Sequence, residues 1–236
     1  MKAQLKRLLR YRPSVETEHV RAAINTNSVN PGLPFTTPCQ GDFLFNLIRS
    51  NGCKSALEVG FATGSTAAYM LAGMQTNRGM LISIDPKPED YLNVGTKLLN
   101  NLGYSDRHKL EKRNSALALP DLISRGQLFD FVYLDGWKTF DHLAVDVYYA
   151  VRLLSVNGLL VFDDTHMPSV RRVIRLVIRH YLFDEVRYNQ FEPVFRLWLW
   201  VLLTRYRPFR TYRAFRKAIP TEQLPLSMDW TFYRRF

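Results

Sequence analysis

The stretch Ala56-Leu57-Glu58-Val59-Gly60-Phe61-Ala62-Thr63-Gly64-Ser65-Thr66 constrains this chain more than any other. It reads as a buried strand over Ser55–Val59, a glycine-bearing turn and the start of a helix. Gly60 and Gly64 bracket the turn, where a side chain would block close approach of a ligand. Ser65 or Thr66 is placed to cap a helix running on through Ala67, Ala68, Met70 and Leu71. Such a unit aims backbone N–H groups at whatever sits above the sheet.

Strands and helices alternate after it. Apolar runs at Met80–Ile84, Phe129–Leu134 and Leu159–Phe162 predict further strands, and a weak strand is expected near Lys109–Lys112. Helical spacing of apolar residues predicts helices at Ser65–Met74, Tyr91–Leu102, Leu119–Ser124, Leu143–Leu154 and Val170–Tyr181. Gly103 and Asn157-Gly158 are read as helix stops. This order predicts an α/β, Rossmann-like, mostly parallel sheet with helices on both faces. Glu185–Phe191 and Val194–Leu203 have no helix between them, only Glu192-Pro193, and predict a C-terminal antiparallel hairpin. The second run, with Trp198 and Trp200, is read as a strand rather than an interfacial membrane helix.

Charge divides the chain into three parts. The net charge is +11, yet residues 1–12 carry five Lys/Arg and no acid, and residues 205–236 carry eight against Glu222 and Asp229. The ends hold +5 and +6, so residues 13–204 are neutral. The expected organisation is a basic N-terminal segment and loop over 1–37, one domain over 38–204 and a basic aromatic tail over 205–236. A neutral working surface argues against nucleic acid as the partner. The basic ends are compatible with a peripheral membrane or polyanion contact, or with packing in a homo-oligomer. Leu5, Leu8 and Leu9 are read as a short docking helix, and the tail arginines as solvated. Two cysteines, Cys39 and Cys53, give no disulfide framework. With no secretory leader and no membrane span, the expected location is cytoplasmic.

Ligands of an open parallel sheet sit beyond the carboxyl ends of its strands. Glu58, Asp85, Asp135 and the pair Asp163-Asp164 all fall there. Gly60-x-x-x-Gly64 is not the G-x-G-x-x-G spacing that admits a pyrophosphate. A nicotinamide cofactor is accordingly disfavoured. An acid before the first glycine suits a cationic ligand, and Asp85 is placed for two ribose hydroxyls. S-adenosylmethionine meets both conditions.

Glu58-Val-Gly60-Phe-Ala-Thr-Gly64, Asp85, Asn114-Ser115-Ala116, Asp135-Gly-Trp137-Lys138 and Asp163-Asp164, in that order, resemble the class I S-adenosylmethionine-dependent methyltransferases. The likeness is to the catechol and caffeoyl-CoA O-methyltransferases and to related bacterial methyltransferases with Asp-Asp after strand five. It covers about Phe43 to Leu203 and implies a seven-stranded sheet. It implies that Glu58, Gly60, Ala62, Gly64 and Thr66 line the methionine end of the cofactor. Asp85 would hold the ribose. Ser115 and Ala116 would lie beside the adenine, with Asp135 and Trp137 completing the site.

The resemblance also implies a divalent ion on Asp135, Asp163 and Asp164. Three carboxylates without His or Cys form a hard-oxygen site suited to Mg²⁺, or to Mn²⁺ or Ca²⁺. The relatives usually carry Asp-Asn after strand five or His where Lys138 stands, so the acceptor is not inherited from either group. The expected reaction is O-methylation of a small hydroxylated molecule, with Lys138 or His166 as the base. His142 is read as structural. The alternatives are a lipid-linked or polymeric acceptor recruited by the basic ends, and a non-catalytic S-adenosylmethionine-binding interaction protein.

Overall fold

A computed structural model describes residues 13–27, 32–186 and 212–223. The seven strands are β1 (Ser55–Val59), β2 (Met80–Ile84), β3 (His108–Glu111), β4 (Phe129–Leu134), β5 (Leu154–Phe162), β6 (Asp184–Val186) and β7 (Arg213–Arg216). The helices among the described residues are α1 (Glu18–Asn27), α2 (Pro38–Ser50), α3 (Ser65–Gly73), α4 (Val94–Asn101), α5 (Ser115–Ser124), α6 (Phe140–Leu153) and α7 (Pro168–His180). They form one sheet in the order β3-β2-β1-β4-β5-β7-β6. The first five strands are parallel, and β7 runs antiparallel to both β5 and β6. The expected Rossmann-like sheet with an antiparallel C-terminal pair is therefore present.

Strand periodicity divides the core in two. Phe131 and Tyr133 of β4 and Leu159 and Val161 of β5 face one layer, which they share with α1 to α4. Val132, Leu134, Leu160 and Phe162 face the other, shared with α5 to α7. Successive side chains of a strand point to opposite faces, so a sheet covered on both sides needs continuous apolar runs. That is why β4 and β5 show no polar alternation.

The C-terminal pair differs in its second strand. The partner of β6 is Arg213–Arg216, within the stretch expected to be tail, and it lies between β5 and β6. Ala214 enters one core layer and Phe215 the other. Its flanking arginines are bonded, not merely solvated. Arg213 makes a two-pronged pair with Glu185, each bond 2.7 Å. Arg216 donates to Asn157 O at 2.9 Å and to Asn51 Oδ1 at 2.7 Å. Lys217 is buried and donates to the carbonyls of Val151 and Leu154 at the end of α6. The expected strand Val194–Leu203 lies outside the described residues, as do Leu5, Leu8 and Leu9.

The N-terminal stretch is also more ordered than a polar loop. Val20 and Ile24 of α1 are buried in the first core layer. Buried Asp42 on α2 accepts from Ser14 N at 2.7 Å and from Thr17 Oγ1 at 2.5 Å, and pairs with Arg21. One acid in α2 thus fastens the whole of α1. No helix of the described residues is long and apolar enough to cross a membrane.

Candidate active site

A cavity of about 510 Å³ opens at the carboxyl ends of β1, β2 and β4. This volume is within the range of sites for small molecules and cofactors. Its wall includes Gly60, Ala62, Thr66, Asp85, Ser115, Asp135 and Trp137 of the expected site. Glu58, Gly64 and Ala116 stand behind or beside it rather than in the wall.

The glycine turn is built by backbone crowding. Gly60 has φ +94°, and a Cβ there would lie 2.5 Å from Asp135 O. Gly64 has φ +67°, and a Cβ there would lie 2.7 Å from Gly95 Cα on α4. The space these glycines leave is therefore filled by the protein itself: the β4 turn in one case, α4 in the other. A left-handed backbone at both positions excludes a side chain at low cost. Gly64 occupies the N-cap of α3, which has no side-chain cap. Neither expected capping residue acts as one. Ser65 Oγ accepts from Thr36 N at 2.9 Å, and Thr66 Oγ1 donates to Glu58. Ser65 and Thr66, in the first turn of α3, both line the cavity, and the leading amides of a helix have no partner within it.

Glu58 is fully buried below this turn. Its carboxyl takes the Thr66 hydroxyl on one oxygen and Ser83 Oγ, at 2.6 Å, on the other. Burial pushes it up to about 8, against the lowering effect of the two hydroxyls. It is thus an anchor for β1, β2 and α3. Asp85 does line the cavity, but its Oδ2 accepts from Phe61 N at 3.1 Å and Ala62 N at 2.8 Å, and its Oδ1 from Lys87 N at 2.9 Å. The acid holds the turn in shape and leaves its remaining lone pairs for a ligand.

The far wall comes from the starts of α5 and α6. Asn114 caps α5, accepting from Ala116 N at 2.9 Å, and Ser115 faces the cavity. Trp137 is 68% exposed, with its ring 5.7 Å from that of His142. His142 also lines the cavity. Pro34 is also in the wall; its carbonyl accepts from Thr63 Oγ1 at 2.7 Å and so ties the preceding loop to the glycine turn.

Asp135, Asp163 and Asp164 converge at the edge of the cavity, each offering an oxygen within 4.8 Å of the others. Lys138 Nζ donates to Asp135 Oδ1 at 2.8 Å and lies 3.9 Å from Asp164 Oδ2. Burial pushes Asp135 up to about 7, with Lys138 opposing and Asp163 reinforcing the shift. Asp164 is raised by burial and by Asp163. His166 is half exposed at the outer rim, with Nδ1 3.9 Å from Asp164 Oδ1.

Two residues absent from the sequence expectation complete the cluster. Gln40 Nε2 donates to Asp163 Oδ2 at 2.7 Å and to Tyr133 Oη at 2.8 Å, and Tyr133 donates to Asp135 Oδ2 at 3.3 Å. A glutamine in an N-terminal helix carries no local signal of this; only the fold of α2 over the strand ends brings it there.

The chain matches a family described as a methyltransferase domain over residues 57–165. A candidate O-methyltransferase of Mycobacterium sp. (strain KMS) is 33% identical over 179 residues, covering 70% of this chain and 79% of the relative. Caffeoyl-CoA O-methyltransferase 1 of Eucalyptus globulus is 28% identical over 133 residues, covering 55% of this chain and 52% of its own length. Among solved structures, an S-adenosylhomocysteine-bound methyltransferase of Podospora anserina superposes with a TM-score of 0.65 at 16% identity, over 92% of this chain and 94% of that one. At that identity the likeness is one of fold. The chain belongs to the S-adenosylmethionine-dependent O-methyltransferase family.

Proposed function

We propose that this protein methylates a hydroxyl oxygen of a small molecule and that Asp135, Asp163 and Asp164 hold a divalent cation at the reacting centre. The observation that carries the reading is the convergence of three carboxylates beside the cavity. With all three ionised and Lys138 protonated, the cluster carries a net charge of −2. Burial raises Asp135, and Asp163 adds to that rise while Lys138 opposes it. An all-oxygen donor set fits a hard cation such as Mg²⁺.

S-adenosylmethionine would supply a methyl group on a sulfonium, and a divalent cation would lower the pKa of an acceptor hydroxyl and orient it. The chain's own part is positioning. The α3 amides and Asp85 address the cofactor's polar groups, Ser115, Trp137 and His142 form the wall at its other end, and Gln40 and Tyr133 hold two of the aspartates in place. Lys138, bonded to Asp135, is the residue placed to take the acceptor proton or to stabilise the oxyanion. His166, at the rim, is the second candidate.

The test is methyl transfer from labelled S-adenosylmethionine to a panel of catechols, phenols and sugars, with and without EDTA. Activity on at least one hydroxylated acceptor, abolished by EDTA and restored by Mg²⁺, is expected. Full activity in EDTA would remove the metal and leave Lys138 as the cluster's cation. Transfer to no member of the panel, alongside tight cofactor binding, would favour the binding-protein alternative.

A further inference from the structure

One surface of a single sign among the described residues is on α7. From Thr165 to Phe183 the chain contains no acidic residue. Val170, Val173, Ile174 and Val177 bury one face of the helix in the core. Arg171, Arg172, Arg175 and Arg179 stand on the other, all exposed. None of them forms an ion pair among the described residues. The chain's acids outside the described residues are Glu192 and Asp229 alone, two against four, and arginine outnumbers acid in the same stretches. The chain's own acids therefore do not neutralise this face.

Helix energetics do not explain it either. A cation near a helix C-terminus is favoured by the macrodipole, which accounts for Arg179. Arg171 and Arg172 lie towards the N-terminus, where the same field opposes them. Ile178, 38% exposed, lies on the same helix, and Leu182, 57% exposed, follows two residues past its end. Water gains nothing from two bare aliphatics among arginines, but an interface with phosphates at one depth and acyl chains just below accommodates both. Nucleic acid fits less well, since no exposed aromatic of this helix face offers a base a stacking surface.

We propose that the exposed face of α7 docks on an anionic phospholipid surface, its arginines on headgroup phosphates and Ile178 and Leu182 at the acyl boundary. This is separate from any contact made by the basic ends and stands whatever the methyl acceptor is. Docking there also bears on the carboxylate cluster. α7 begins four residues after Asp164, and Ser169 in its first turn donates to Lys138 O at 2.6 Å.

The experiment is co-sedimentation of the full chain with phosphatidylcholine vesicles, with and without phosphatidylglycerol. The parent protein should bind only the anionic vesicles. At about fivefold per arginine, replacing all four (R171Q, R172Q, R175Q, R179Q) should weaken binding on the order of 100-fold or more. Ile178→Ser with Leu182→Ser, which keeps the charge, should weaken it about tenfold. A variant with Arg205, Arg207 and Arg210 changed to Gln should retain most of the binding. Circular dichroism melts confirm that these surface variants fold. No binding by the parent protein, unchanged binding by the four-arginine variant, or loss only in the 205–210 variant overturns the proposal. So does polyuridylate binding that outcompetes the vesicles and ignores the Ile178/Leu182 change.

Discussion

Glu58 and Ser83 face each other across the β1–β2 ladder and share a 2.6 Å hydrogen bond inside the sheet. The Ser83 hydroxyl also lies 3.0 Å from His108 Nε2 on β3, and the His108 ring stacks on Phe61 of the glycine turn at 5.0 Å. Which of Ser83 and His108 donates follows from which ring nitrogen carries the imidazole proton. Three strands are thereby stitched together directly beneath the cavity.

This chain of groups gives a pH signature. Glu58 is raised to about 8, so the stability it contributes is fully present below about 4.5 and is lost as pH rises through 8. His108 is lowered to about 4 by burial, so its contribution is fully present above 6.5 and is lost as pH falls through 4. Thermal midpoints recorded from pH 4 to 9 should peak in between. Glu58→Gln should flatten the decline on the alkaline side. An identical slope in that variant would show that Glu58 does not titrate in this range.

Gly60→Ala should be severe for its size. Its Cβ meets Asp135 O at 2.5 Å and its backbone is left-handed, a combination that costs on the order of 1–3 kcal/mol even before the turns separate. Denaturant unfolding should show that loss, and calorimetric titration with S-adenosylhomocysteine should show weaker binding. Gly52→Ala, left-handed but with open space around it, is the control for backbone strain alone.

Gln40→Leu removes the donor shared by Asp163 and Tyr133. Residues that orient metal ligands typically change affinity by about 10- to 100-fold when lost. Mn²⁺ titration followed by electron paramagnetic resonance should show a drop of at least tenfold. Equal Mn²⁺ affinity in parent and variant would mean that the cluster needs no support from α2.

Trp137 offers a spectroscopic handle. An indole 68% exposed on the cavity wall should shift its emission to shorter wavelength when S-adenosylhomocysteine covers it. Trp137→Ala should abolish that shift and weaken binding about tenfold, in line with ~0.5–1.5 kcal/mol for an aromatic contact beyond simple burial. An unchanged affinity would place the cofactor away from this ring.

The strand ends were legible in the sequence because a continuous apolar run that stops at a carboxylate has one natural place in a parallel sheet. Asp85, Asp135 and Asp163-Asp164 all sit where that rule puts them. The environment of each acid was not legible. Nothing local to Glu58 signals that Thr66 and Ser83, from other segments, each bond one of its oxygens. Asp42 carries no sequence signal that Ser14 and Thr17 bond to it. β7 escaped because only Ala214 and Phe215 of its four residues are buried, too few for an apolar period to register. Its neighbours are arginines satisfied by Glu185, Asn157 and Asn51, partners remote in the sequence.

The place of β7 has a consequence for how the protein is made. β5 gains its neighbour on that side from Arg213–Arg216, far later in the sequence. Until they emerge during synthesis, the backbone groups along that side of β5 have no β7 to pair with. A nascent chain at that stage carries an apolar strand edge of the kind that invites pairing with another copy. Ribosome-stalled or truncated products ending before Arg213 should therefore be the aggregation-prone species, and the arrival of β7 is what covers this side of β5.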